Sequence, residues 1–194
     1  MSKGRLEAFS DGVLAIIITI MVLELRAPRE PRPEALVPLV PVLLSYVLSF
    51  VFVGIYWNNH HHLLQAVRQV NGRILWANLH LLFWLSLTPF VTSWMGQTNF
   101  GAWPVAAYGV VLLLAACAYY ILTRVLIAYH GQDSALALAM GRDFKGKLSL
   151  LIYAAAIPVA FVEPLVACAL YVLVALIWLV PDRRIEGTLT QRTP

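Results

Sequence analysis

Charge is scarce in this chain. Of its 194 residues, 12% are Asp, Glu, Lys or Arg, while 60% are hydrophobic. A soluble domain usually carries about 25% charged residues, and a globule of this length has too little interior to hide so much apolar surface. A soluble fold is excluded, and the surplus faces lipid. Cysteine is scarce too: Cys117 and Cys168 both sit inside apolar runs. They read as small buried residues rather than a disulfide or a metal pair, and no cofactor or metal is expected. Strands of alternating polarity, the mark of a membrane β-barrel, are missing. The unbroken apolar run over residues 110–122 calls for helices, the other structure that satisfies every backbone group in lipid. The first run is not expected to be a cleavable signal peptide. Ser10, Asp11 and Gly12 interrupt the first apolar run, and Glu24-Leu25-Arg26 offers no small-residue cleavage site.

What is present is six apolar runs, over residues 8–25, 35–57, 74–95, 103–129, 148–162 and 164–180. A helix needs about 20 largely apolar residues to cross the hydrocarbon, so six crossings with short loops use up the chain. Residues 1–194 therefore read as a single membrane domain, all-α and polytopic, with six transmembrane helices. The fifth run is short and contains Pro158, but the fifth and sixth together suit two crossings better than one re-entrant hairpin. The net charge of +4 is informative through its placement, and nucleic acid is not an expected partner. With the N-terminus in the cytoplasm, Lys3, Arg5, Arg68, Arg73, Arg124, Arg142, Lys145, Lys147, Arg183, Arg184 and Arg192 lie inside. Only Arg26, Arg29 and Arg32 fall outside, beside Glu24, Glu30 and Glu34. The excess of cationic residues on one side predicts both termini in the cytoplasm of a multi-pass plasma-membrane protein.

An ionisable residue inside a span is costly and marks function or firm pairing. The first run carries Asp11 shortly after Arg5. At about 100° per residue, Phe9, Gly12, Ile16, Thr19, Ile20 and Leu23 share one stripe, and Ser10 and Asp11 point away from it. An ordinary lipid-facing or bundle-packed helix, with Asp11 paired to a histidine or arginine, accounts for the composition alone.

The order of these residues adds more. Arg5, Phe9, Ser10 and Asp11 stand in an R-x-x-x-F-S-D pattern, continued by Gly12-Val13, Ala15-Ile16, Thr19 and Leu23-Glu24. Trp57-Asn58-Asn59-His60-His61 closes the second run, and Trp76-Ala77-Asn78-Leu79 with Pro89-Phe90 marks the third. These stretches resemble the transmembrane-protein-175 family, which includes an endolysosomal potassium channel and its bacterial relatives. The resemblance covers recognisable motifs in the first half of the chain, and hydropathy alone in the second. It implies six spans per subunit and a homotetramer in the lipid bilayer, with four copies of the first helix around a potassium-selective pore. It also implies selectivity without a carbonyl filter, consistent with the absence of a T-V-G-Y-G sequence. The family's apolar constriction, five positions after the aspartate, corresponds to Ile16, and the threonine that follows corresponds to Thr19. Ile20 and Leu23 supply further apolar rings. A narrow apolar ring closes a pore by expelling water. A hydroxyl ring that replaces a hydration shell incompletely penalises sodium more than potassium, because sodium is the more strongly hydrated ion.

The remaining polar residues read as structural. His60, His61 and His62 are consecutive and fan around a helix, whereas helix-borne metal ligands sit at i and i+3 or i+4. One or two of them are expected to meet the Ser10–Asp11 end of the first helix. Arg5, Phe9, Ser10, Asp11, His60 and His61 form a structural motif, in which Arg5, Ser10, Asp11 and the histidines make a polar cluster off the ion path. Asn78 and His80 suit interhelical hydrogen bonds. Glu163 sits in a turn facing water, and Trp57, Trp76, Trp94, Trp103 and Trp178 near the span ends suit an aromatic belt. A secondary transporter would show an internal repeat, and a membrane enzyme a nucleophile with its base. Neither signature is present, and no enzymatic activity is expected.

Overall fold

The computed structural model describes residues 2–67, 69–131, 134, 136, 137 and 143–179. Arg68, Arg142, Arg183, Arg184 and Arg192, part of the positive-inside count, lie outside the described residues, as does Val180 at the end of the sixth run. Every regular element among the described residues is helical, as the unbroken apolar runs require. The order is α1 (Lys3–Leu23), a 3-10 helix (Pro33–Leu39), α2 (Val40–Gln65), α3 (Gly72–Ser86), α4 (Thr88–Gln97), α5 (Ala102–His130), α6 (Phe144–Val159) and α7 (Pro164–Leu179). Residues 3–23, 33–65, 72–97 and 102–130 are long and apolar enough to cross a membrane, while the apolar α7 is shorter at 16 residues.

Proline and short polar side chains punctuate these helices. Pro28, Pro31 and Pro33 follow the end of α1, where missing N–H groups and fixed φ prevent continuation. α3 starts at Asn71, whose Oδ1 accepts from the Ile74 N–H at 3.0 Å, a conventional N-cap. The third run, read from sequence as one helix, is two: α3 and α4 meet at Leu87. Pro89, inside the first turn of α4, can neither donate to the Leu85 carbonyl nor let its ring pass beside it. α2 differs in the other direction. It runs past Trp57 through His62 to Gln65, so the helix extends beyond the second apolar run and carries the asparagine–histidine cluster. Between α4 and α5 the chain reverses through Asn99 and Phe100, at φ 50° and 60°. Phe100 holds that uncommon conformation with its side chain packed against the core and its N–H on the Met95 carbonyl at 3.0 Å.

Two apolar cores result. One gathers α1, α3 and the C-terminal halves of α2 and α5, with Leu14, Leu64, Ile74, Leu81 and Leu122 at its centre. The other gathers α4, α6, α7 and the N-terminal half of α5, around Met95, Val105, Tyr108, Ala156 and Tyr171. α2 and α5 are long enough to take part in both. α5 and α7 approach closely at Gly109: the Tyr171 ring and hydroxyl occupy the space a Cβ would need there. That hydroxyl donates to the Val105 carbonyl at 3.1 Å.

Candidate functional site

α1 has two unlike faces. Leu6, Ser10, Leu14, Ile17 and Met21, three and four residues apart, are buried against the rest of the subunit. On the other side Phe9 is 51% exposed, Ile16 59%, Ile20 45% and Leu23 73%, and Gly12, Ala15 and Thr19 between them are exposed too. The stripe read from the sequence is therefore the side of α1 that its own subunit leaves bare. Arg5 is exposed as well. At the far end of α1 an open groove of about 590 Å³ runs from Ile20 and Glu24 to Pro89, Phe90 and Trp94. There the Ser93 hydroxyl donates to Glu24 Oε2 at 3.1 Å.

Thr19 is oriented by its own helix. Its hydroxyl donates to the Ala15 carbonyl at 2.8 Å, the back-bond available to a helical threonine. With its one hydrogen so used, the oxygen can only accept from, or coordinate, any further group.

The buried side of α1 is anchored by a directed chain of hydrogen bonds. Ser10 Oγ donates to the Leu6 carbonyl at 2.8 Å and accepts from Asn78 Nδ2 of α3 at 3.0 Å. Asn78 Oδ1 then faces His60 Nε2 of α2 at 2.7 Å. Since that oxygen only accepts, His60 carries its proton on Nε2. All three side chains are buried, so three helices are tied by groups that have no water to turn to.

Asp11 departs from its expected partner. Its Oδ1 accepts from the Trp57 indole Nε1 at 3.0 Å, not from a histidine. His61 instead stacks on the Trp57 ring and shares a hydrogen bond with Gln65 at 2.8 Å. The structure thus brings Ser10, Asn78 and His60 together and sets Asp11 beside Trp57. Arg5 and Phe9 lie exposed on the bare side of α1. His80 turns to Trp84 of its own helix at 2.9 Å rather than to a neighbouring one, and Glu163 is exposed between α6 and α7.

A second network has no counterpart in the sequence reading. Thr92 donates to the Thr88 carbonyl at 2.7 Å, so Ser49, 2.7 Å away, donates to Thr92. The Tyr108 hydroxyl, 3.0 Å from Ser49, must then donate to Ser49. Serines and threonines inside the second and third runs were its only signal.

Known proteins resemble this chain in sequence and fold. The family described as the endosomal/lysosomal potassium channel TMEM175 matches residues 5–89, which include most of α1 and all of α2 and α3. A potassium channel of Chryseobacterium sp. (strain P1-3) is 56% identical over 191 residues, spanning 98% of this chain and 100% of the relative. A potassium channel of Streptomyces collinus is 31% identical over 186 residues, 90% of each chain. The fold matches the crystal structure of a lysosomal potassium-selective channel TMEM175 homolog from Chamaesiphon minutus with a TM-score of 0.78 at 24% identity, over 93% of this chain and 97% of that one. These relatives are channels rather than enzymes, and full-length similarity to the first of them settles the kinship: this multi-pass membrane protein belongs to the TMEM175 family.

Proposed function

We propose that the chain is one subunit of a homotetrameric potassium-selective channel whose pore is walled by four copies of α1. The observation that carries this reading is the bare stripe of α1. A helix packed on one side by Leu6, Ser10, Leu14, Ile17 and Met21 offers Ile16, Thr19, Ile20 and Leu23 to whatever lies on its other side. Around a four-fold axis that side is the pore. Ile16 then forms the apolar constriction, Thr19 a ring of outward-facing oxygens, and Ile20 and Leu23 further apolar rings. The names of the relatives, potassium channels along nearly the whole chain, support the ion. Charge placement supports six crossings with both termini in the cytoplasm, residues 1–194 forming one membrane domain.

The mechanism follows from size and polarity. At Ile16 an ion must shed water, because a narrow apolar ring does not hold a hydrated ion, and bulk there sets throughput. At Thr19 four oxygens return part of the lost hydration. Reversal potentials under mixed potassium and sodium gradients, with purified protein in bilayers, are the test. Ile16→Ala is expected to raise conductance several-fold with little change in reversal potential. Thr19→Val removes the oxygens at similar volume and is expected to move the reversal potential toward non-selectivity with the pore still open. Unchanged currents and potentials in both variants would mean that α1 does not line the path.

A further inference from the structure

A cavity of about 50 Å³ lies between α2, α5, α6 and α7, and no residue of α1 lines it. A single water needs roughly 10–15 Å³ by this measure, so the space takes a compact ligand group. Six aromatic side chains form much of its wall: Phe52, Tyr56, Tyr119, Tyr120, Tyr153 and Trp178. Asp143, at the N-cap of α6, is the one charged residue among its described lining residues.

Polarity decides what kind of ligand suits it. The Trp178 indole N–H donates to Ser149 Oγ at 2.9 Å, and the Ser149 hydroxyl donates to the Lys145 carbonyl at 2.8 Å. Tyr119 donates to the Asn59 carbonyl at 3.3 Å, and Asn59 Nδ2 to the Ile55 carbonyl at 2.8 Å. These four donors are committed to the protein, and the charged residue among the described lining residues is an acid, which disfavours an anion. Aromatic faces carry negative quadrupole potential and attract cations, most strongly when desolvated. The Asp143 carboxylate accepts from the Gly146 N–H through Oδ1 at 3.0 Å, and a carboxylate has further lone pairs beyond that one bond.

We infer that this cavity is a binding site for a small organic cation, a methylated ammonium group held by the aromatic rings and balanced by Asp143. The site is separate from the exposed side of α1, so it stands or falls independently of the pore assignment.

Choline is a suitable probe, and 3,3-dimethylbutan-1-ol, the same shape with carbon in place of the charged nitrogen, is its neutral control. With the purified protein in nanodiscs, saturation-transfer NMR on the ligand methyl signal should show saturable choline binding and much weaker binding of the neutral analogue. Asp143→Asn keeps the cap, since Asn and Asp serve equally well there, but removes the charge. It should weaken choline by about tenfold or more and leave the neutral analogue unchanged. Tyr120→Leu, at a partly exposed ring, keeps apolar volume and should weaken choline several-fold through the lost ring face. Absence of saturable choline binding would overturn the inference. So would equal binding of the two probes, which would make this an apolar cavity for uncharged or lipid groups, or unchanged choline affinity in Asp143→Asn.

Discussion

Hydroxyl hydrogens are the limiting currency of a lipid-facing bundle, because each Ser or Thr has one to donate and no bulk water to supply another. In this protein Ser10 and Thr92 both place theirs on a carbonyl of their own helix. That choice turns each oxygen into an acceptor for a neighbouring helix, Asn78 in one case and Ser49 in the other. Ser10→Ala should therefore do more than delete a small group: it strands the Asn78 amide N–H in a buried site. The expected loss is about 1 kcal/mol, between the roughly 0.6 typical of polar pairs inside membranes and the 1–3 of a stranded buried donor. Unfolding of the reconstituted protein in graded denaturing detergent reads this, with Ser10→Thr as the variant that restores the oxygen. A Ser10→Ala protein as stable as the parent would show that the chain from His60 to Leu6 does not fasten α1. The membership of this network was only half legible in the sequence. Polar residues at membrane depth, Asn78 and the histidines, announce that they need partners. Which of three adjacent histidines turns inward depends on the rotation of α2, and that rotation is set by distant packing.

Helix ends were less legible than helix existence. Hydropathy placed apolar helices in the right order, because a bilayer leaves the backbone few other solutions. It could not see that α2 continues to Gln65, since Asn and His lower hydropathy without breaking helical geometry. Nor did it see the break at Leu87, although Pro89 was in view, because a proline near a helix middle is compatible with either a kink or a new start. The exposed stripe of α1 was legible from periodicity, and the packing of α5 on α7 was not. Gly109 is one small residue in a run that already contains many alanines, and only the fold reveals the Tyr171 ring lying across it. Gly109→Ala would gain helix propensity of about 1 kcal/mol, yet the new Cβ must displace an aromatic ring tied to the Val105 carbonyl. Overpacking of this kind costs about 1–3 kcal/mol, so net destabilisation is expected despite the better helix former. Tyr171→Phe in the same background removes the hydroxyl that meets the Cβ most closely and should recover part of the loss. The comparison is made by detergent unfolding of the two single variants and the double variant.

At the scale of the molecule, contacts between successive elements sort the chain into two ends. Glu24 after α1 meets Ser93 near the end of α4, and Gly96 is pressed against Val42 and Ser45 at the start of α2. These segments share one end of the bundle. Ser10, His60 and Asn78 meet toward the other, and Asp143 lines a cavity with Asn59 near the end of α2, which adds the start of α6 to that second end. The lysines and arginines at the second end outnumber those at the first, and translocation retains such residues on the cytoplasmic side. Two exposed positions make the orientation measurable: Thr98, just after α4, and Lys147, in the first turn of α6. In a background with Cys117→Ala and Cys168→Ala, Thr98→Cys should react with a membrane-impermeant maleimide added to intact cells. Lys147→Cys should react only after the membrane is opened. Reaction of Lys147→Cys from outside, with Thr98→Cys protected, would invert the molecule in the membrane. Labelling of both from the same side would be more damaging. It would require an even number of crossings between α4 and α6, where α5 alone now supplies one, and the six-span arrangement would have to be abandoned.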